Sequence, residues 1–170
     1  KYSAPPSEET TEAADPKDVP RKRYSFTYSM PSASFLLGQS EEANFLYSTV
    51  GENLHSASRN LTTRLNMQVF FGHLDAIVIG ETLARDPHLF REILDVIERD
   101  SLISRRVKIV IVPKSAKDVL RVQPALTPVT GEFISGLFKN KEGSPRSGFA
   151  EAGDILEELH ETGNTVIPRI

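Results

Sequence analysis

With 170 residues, 39% of them apolar and no apolar run approaching a membrane span, the chain can hold one domain with a real core plus a tail, and it reads as soluble. The absence of Cys excludes disulfides, thiolate metal sites and a Cys nucleophile. The net charge of −3 is accounted for by the first twenty residues, where Lys1 and Lys17 face Glu8, Glu9, Glu12, Asp15 and Asp18; the balanced remainder, with only Arg21-Lys22-Arg23 and Arg105-Arg106 as basic clusters, excludes a duplex-binding surface.

Residues 1–21 place Pro5, Pro6, Pro16 and Pro20 among Ser, Thr, Glu and Ala. Such a composition cannot bury enough surface to offset its ordering entropy, so we expect a flexible acidic loop or tail, with the domain beginning at residue 22. Tyr24, Phe26 and Tyr28 alternate with Ser25, Thr27 and Ser29, the period of a half-buried strand, which Pro31 stops. Residues 32–44 show no period and are expected to form a loop, and Phe45–Val50 a short strand. Leu54, Ala57, Leu61 and Leu65 then fall on one side of an amphipathic helix of about residues 51–65.

The stretch Phe70-Phe71-Gly72-His73-Leu74-Asp75-Ala76-Ile77-Val78-Ile79-Gly80-Glu81 organises the rest. Its unbroken β-branched run suits a strand at 75–79 covered on both faces. Asp86 as N-cap and Pro87 at the first helical position open a helix over 87–99, with Phe90, Ile93, Leu94 and Ile97 on one face. A second β-branched run, 107–112, stops at Pro113. Strand, helix, strand with short connections favours a parallel pair. Ser115 starts a short helix, Pro124 and Pro128 mark an extended loop, and helices are expected at 130–140 and 147–160, the latter broken by Gly163. Thr165, Val166 and Ile167 look like the start of another strand, as if the chain stopped in mid-architecture. The fold class is therefore α/β or α+β, a mixed sheet with a parallel pair flanked by four to five helices.

Chemistry is harder to find. The His residues at 55, 73, 88 and 160 include no pair at the i, i+4 spacing of a zinc helix, so no metal is expected. Phosphate-cradling glycine loops are missing, as is a nucleophile elbow, and Glu157, Glu158 and Glu161 read as a solvated helix face. His73, at the entry to the buried strand, is expected to serve structure through a hydrogen bond to nearby backbone. Glu81 follows Gly80 at the carboxyl end of the first parallel strand, where open α/β sheets place ligands. His73 and Glu81 are thus the two binding candidates, and no cofactor or catalytic set is expected.

The pair FGHL and IGE at this spacing, followed by Leu83-Ala84, Arg99-Asp100, Val112-Pro113-Lys114 and Ala116-Lys117-Asp118-Val119-Leu120, resembles the amino-terminal domain of Ger(x)C spore germination proteins over roughly residues 45–170. Phe71, Gly72, His73, Gly80 and Glu81 carry the family motif, with a structural role expected. The resemblance implies the C subunit of a nutrient germinant receptor, a non-enzymatic lipoprotein on the outer face of the spore inner membrane. It would work with two integral-membrane subunits. Family members open with a lipid-modified Cys and a first strand, whereas this chain opens at Lys1 without Cys. The resemblance thus implies an anchor outside these residues, further domains beyond them, and a strand at Tyr24 left without a partner, an edge available to another chain. The alternative from another class is a nutrient-binding module with a pocket near Gly80 and Glu81.

Overall fold

The computed structural model describes residues 24–65, 71–139 and 151–170. The expected tail at 1–21, the chain up to Arg23 and the expected helix start at 147–150 lie outside the described residues. Two small sheets are present: β1 (Tyr24–Pro31) pairs antiparallel with β2 (Asn44–Gly51), and β3 (Ala76–Gly80) pairs parallel with β4 (Lys108–Val112). Seven helices accompany them among the described residues: α1 (Ala33–Leu36), α2 (Leu54–Thr62), α3 (Glu81–Ala84), α4 (Pro87–Arg99), α5 (Ala116–Arg121), α6 (Thr130–Lys139) and α7 (Ala152–Thr162). The α+β class and the parallel pair are as expected.

β4 explains the architecture. Side chains alternate across a strand, so Val107 and Ile109 point to one face of the β3–β4 pair and Val110 to the other. The first face joins Phe71, Ile79, Leu94, Ile97, Ile103, Ala152, Ile155 and Leu156 in the main core, beneath α4 and α7. On the second face, Val110 packs with Ile134 and Phe138 of α6, and Ala76, Val78 and Val119 close around them. With Val107, Ile109, Val110 and Val112 at 0–1% exposure, both faces are covered, which is why the sequence shows no polar alternation there.

The cap chemistry of α4 follows the sequence closely. Asp86 accepts from the backbone N–H of His88 at 2.9 Å and of Leu89 at 3.1 Å, and Pro87 sits where a free N–H is not needed. α2 is shorter than the expected 51–65. Gly51 belongs to β2, and a Cβ there would lie 2.6 Å from the backbone nitrogen of Ala57, so the strand must end against the helix it precedes. The helix starts one turn later, at a capping box formed by Asn53 and Ser56.

Three further expectations are corrected, and one unexpected turn of helix appears. The stretch 32–44 is not all loop: Ser32 accepts from Phe35 N–H at 3.2 Å and starts the single turn α1. α3, likewise one turn, was hidden because four residues carry no readable period. The strand at Tyr24 does not lack a partner, since β1 pairs along its full length with β2, from Tyr24 opposite Gly51 to Pro31 opposite Asn44. Thr165–Ile167 form no strand; pairing starts at Pro168, whose carbonyl accepts from Ile111 N–H at 2.9 Å, while Ile170 N–H reaches back to Ile111 O at 3.0 Å.

The two sheets are tied through side chains. Tyr28 stacks obliquely on Phe71 with centroids 6.2 Å apart, and the Tyr24 hydroxyl donates to Glu92 of α4. Burial, reinforced by Glu92, pushes the Tyr24 phenol up to about 12. On the opposite side, buried Lys108 donates to Glu151 at 2.5 Å and fastens β4 to the start of α7. Glu151→Ala would leave that ammonium uncompensated. We expect a loss of about 1–3 kcal/mol, below the fully buried case because Glu151 is partly hydrated, measured by urea unfolding against Glu151→Gln.

Candidate functional site

Phe71 to Glu81 was the stretch where the sequence placed both candidate residues. It opens with a 3-10 turn, Phe71–His73, closed by Leu74 N–H donating to Phe71 O at 3.3 Å. Phe71 is buried in the core and Leu74 packs against it, so two of the four FGHL residues are cemented by burial. Gly72 is half-buried between them. His73, by contrast, is exposed. The turn directs residue 73 outward while residue 71 goes in, and the imidazole keeps an interaction with its surroundings there.

β3 then runs to Gly80, opposite Val112, and the chain turns into α3 with Glu81 as first residue. The turn is tight: a Cβ on Gly80 would stand 3.2 Å from the carbonyl oxygen of Lys114, so the loop after β4 closes over this glycine. Glu81 therefore sits at the carboxyl end of the parallel pair, as the sequence placed it.

Its carboxylate is already occupied. Oε1 accepts from Arg85 Nη2 at 2.7 Å and Nε at 3.2 Å, and Oε2 accepts from Arg169 Nη2 at 3.1 Å. The Arg85 hydrogen bonds, followed by the positive charges of Arg169 and Arg85, outweigh partial burial and hold the carboxyl below its ordinary value. Glu81 thus joins α3 to the segment that bridges β4 at Ile111, one turn of helix to a residue eighty-eight positions away. Arg85, at i+4 from Glu81 on a helix, was readable as a partner. Arg169 was not, since nothing local connects it.

At this end of the parallel pair, Glu81 is flanked by the Arg85 and Arg169 guanidinium groups, and Gly80 by the Lys114 backbone. Two open depressions lie elsewhere. One, of about 460 Å3, is walled by charged side chains, among them Arg105, Arg106, Glu151, Asp154, Glu157 and His160. The other, of about 260 Å3, lies between the start of β2 and the end of α5, lined by residues that include Asn44, Phe45, Leu120 and Gln123. Neither is lined by His73, Gly80 or Glu81. Among the described residues, no three His, Asp or Glu side chains gather as a metal-holding group.

Two polar groups that sequence reasoning passed over hold the scaffold. Asp100, following α4, accepts from Leu102 N–H at 2.9 Å through Oδ1, while its buried Oδ2 faces His55 Nε2 of α2 at 4.0 Å. Asn44 donates to Pro128 O at 2.8 Å and Thr130 Oγ1 at 3.3 Å, docking the extended 122–129 loop on the start of β2. A single Asp after a helix or an Asn before a strand gives no warning of such distant partners.

Two outcomes check this assignment. Phe71→Ala, which empties a buried core position, should cost about 3–5 kcal/mol, read from the chemical unfolding midpoint. A group whose folded pKa is depressed contributes stability above its unfolded value and loses it as pH falls. Glu81→Gln should therefore lower the melting temperature at neutral pH, and the difference from the wild type should close on acidification through the usual carboxylate range, near pH 4 and below.

The sequence of the chain matches the family model described as spore germination protein N-terminal domain over residues 15–170, a span that starts inside the segment expected to be a tail. No curated protein and no solved structure matches the chain. The motif on Phe71, Gly72, His73, Gly80 and Glu81 and the parallel pair behind it thus stand in their family context: the chain belongs to the spore germination protein N-terminal domain family, as its resemblance to Ger(x)C proteins implied.

Proposed function

We propose that this domain is part of the lipid-anchored C subunit of a nutrient germinant receptor. It acts without catalysis, through contacts with two integral-membrane subunits at the outer face of the spore inner membrane. The observation that carries the reading is the family match across nearly all of the chain. The chemistry of the described residues supports it. The carboxylate best placed for a ligand is consumed by Arg85 and Arg169, and its neighbours Phe71, Leu74 and Ile79 are spent on the core. A body whose best-placed carboxylate is held by two arginines serves as a surface for other proteins.

A lipid anchor in this reading lies outside residues 1–170. One acyl chain binds a bilayer only marginally, so a second contact is required for stable residence, and protein partners are one source of it. The test is capture of the two membrane subunits from a spore membrane extract by the full-length lipoprotein and by residues 1–170. Capture by both places a docking surface on this domain. Capture by the full-length protein alone moves the contacts to later domains and overturns the reading for this one.

A further inference from the structure

Charge is spread over a quarter of this chain, yet two segments carry none: Tyr24–Ser40, between Arg23 and Glu41, and Val122–Gly131, between Arg121 and Glu132. The fold brings them to one end of the molecule. Ser32 N–H donates to Ala43 O at 2.8 Å and closes the β1–β2 connection, Gln123 Nε2 donates to Glu41 O at 3.0 Å, and Asn44 holds Pro128. Leu36 and Leu37 stand on α1 at 68% and 72% exposure, and Leu126, on the neighbouring loop, at 94%. Phe45 and Val122 are also exposed at this end, making five of the ten large apolar side chains left in solvent among the described residues.

Scattered exposed leucines need no explanation, but a charge-free cluster at one end does. We propose that this end of the domain is a membrane-contact surface, in which Leu36, Leu37 and Leu126 enter the apolar boundary of the bilayer. Three features favour lipid over a protein groove. The leucines project singly from tips and do not line a cleft, whereas protein interfaces seat their anchors in packed pockets. No Lys or Arg lies within either segment, and Arg121 at the border is matched by Asp118 and by the nearby Glu42, so the contact depends on hydrocarbon and not on anionic headgroups. The donors at the α1 tip are already satisfied, which lowers the cost of leaving water: the N–H groups of Leu36, Leu37, Gly38 and Gln39 donate to Ser32, Ala33, Phe35 and Ser34 carbonyls at 2.7–3.1 Å. Pro124 and Pro128 on either side of Leu126 have no N–H to satisfy. Glu41 and Glu42 border the cluster and would limit the depth to the interface.

The surface stands on these contacts alone; the receptor reading only supplies a bilayer nearby. The chain contains no Trp, so a single introduced indole reports its own surroundings. Leu126→Trp, Leu37→Trp and, as control, Val166→Trp at another exposed site are held by an amino-terminal histidine tag on phosphatidylcholine vesicles carrying a nickel-chelating lipid. Tethering makes the test independent of the natural anchor. Circular dichroism first confirms that each variant is folded. Blue-shifted emission and quenching by brominated lipid are expected for Leu126→Trp and Leu37→Trp, with neither for Val166→Trp, and high salt should leave the signals unchanged. No shift at positions 37 and 126, or an equal shift at all three, overturns the proposal. So does a shift that appears only when membrane subunits are embedded in the vesicles, which assigns the surface to a protein.

Discussion

The constraint on which this structure depends is that β3 and β4 are apolar on both sides. A two-stranded parallel pair cannot stand in water, and burying its two faces requires helices above and below. α4 and α7 answer on the side of Ile109, and α6, with Val119 of α5, on the side of Val110. Because α4 is the crossover between the strands, its length and caps are fixed by the same need. The β1–β2 hairpin is then added from outside, through Tyr28 on Phe71 and Tyr24 on Glu92.

This dependence explains which parts of the fold were legible. β3, α4 and β4 were readable nearly to the residue because apolar period, N-cap and proline all agreed at Asp86-Pro87 and Pro113. The ends of α2 were not, because the apolar spacing Leu54, Ala57, Leu61, Leu65 continues past the point where Gly51 and Asn53 settle the boundary by steric contact and capping. α1 and α3 are single turns, too short for a period, and the Pro168–Ile170 pairing is set by the exposed edge of β4 and not by propensity.

The candidate site shows the same division. Sequence placed Glu81 correctly at the carboxyl end of the parallel pair, and the rule about ligand sites there drew attention to it. What decides its role is Arg169, a tertiary partner that no spacing reveals. His73 stands on the outer side of the same three-residue turn that sends Phe71 and Leu74 inward, and its side chain stays engaged there. Of the FGHL residues, Phe71 and Leu74 serve the core, while short charge-free segments and protruding side chains at the surface carry little signal in a single sequence.

Hydrogen exchange separates these accounts most directly, measured on the domain alone, in receptor-containing membranes, and in those membranes with nutrient added. The amides of β3 and β4 should exchange slowly throughout, and protection gained on assembly should fall on surface segments such as 33–40 and 122–128, with 79–85 unchanged by nutrient. New protection concentrated at 79–85 and at Lys114 when nutrient is added would contradict the account and return Glu81 to the role of a ligand-binding residue.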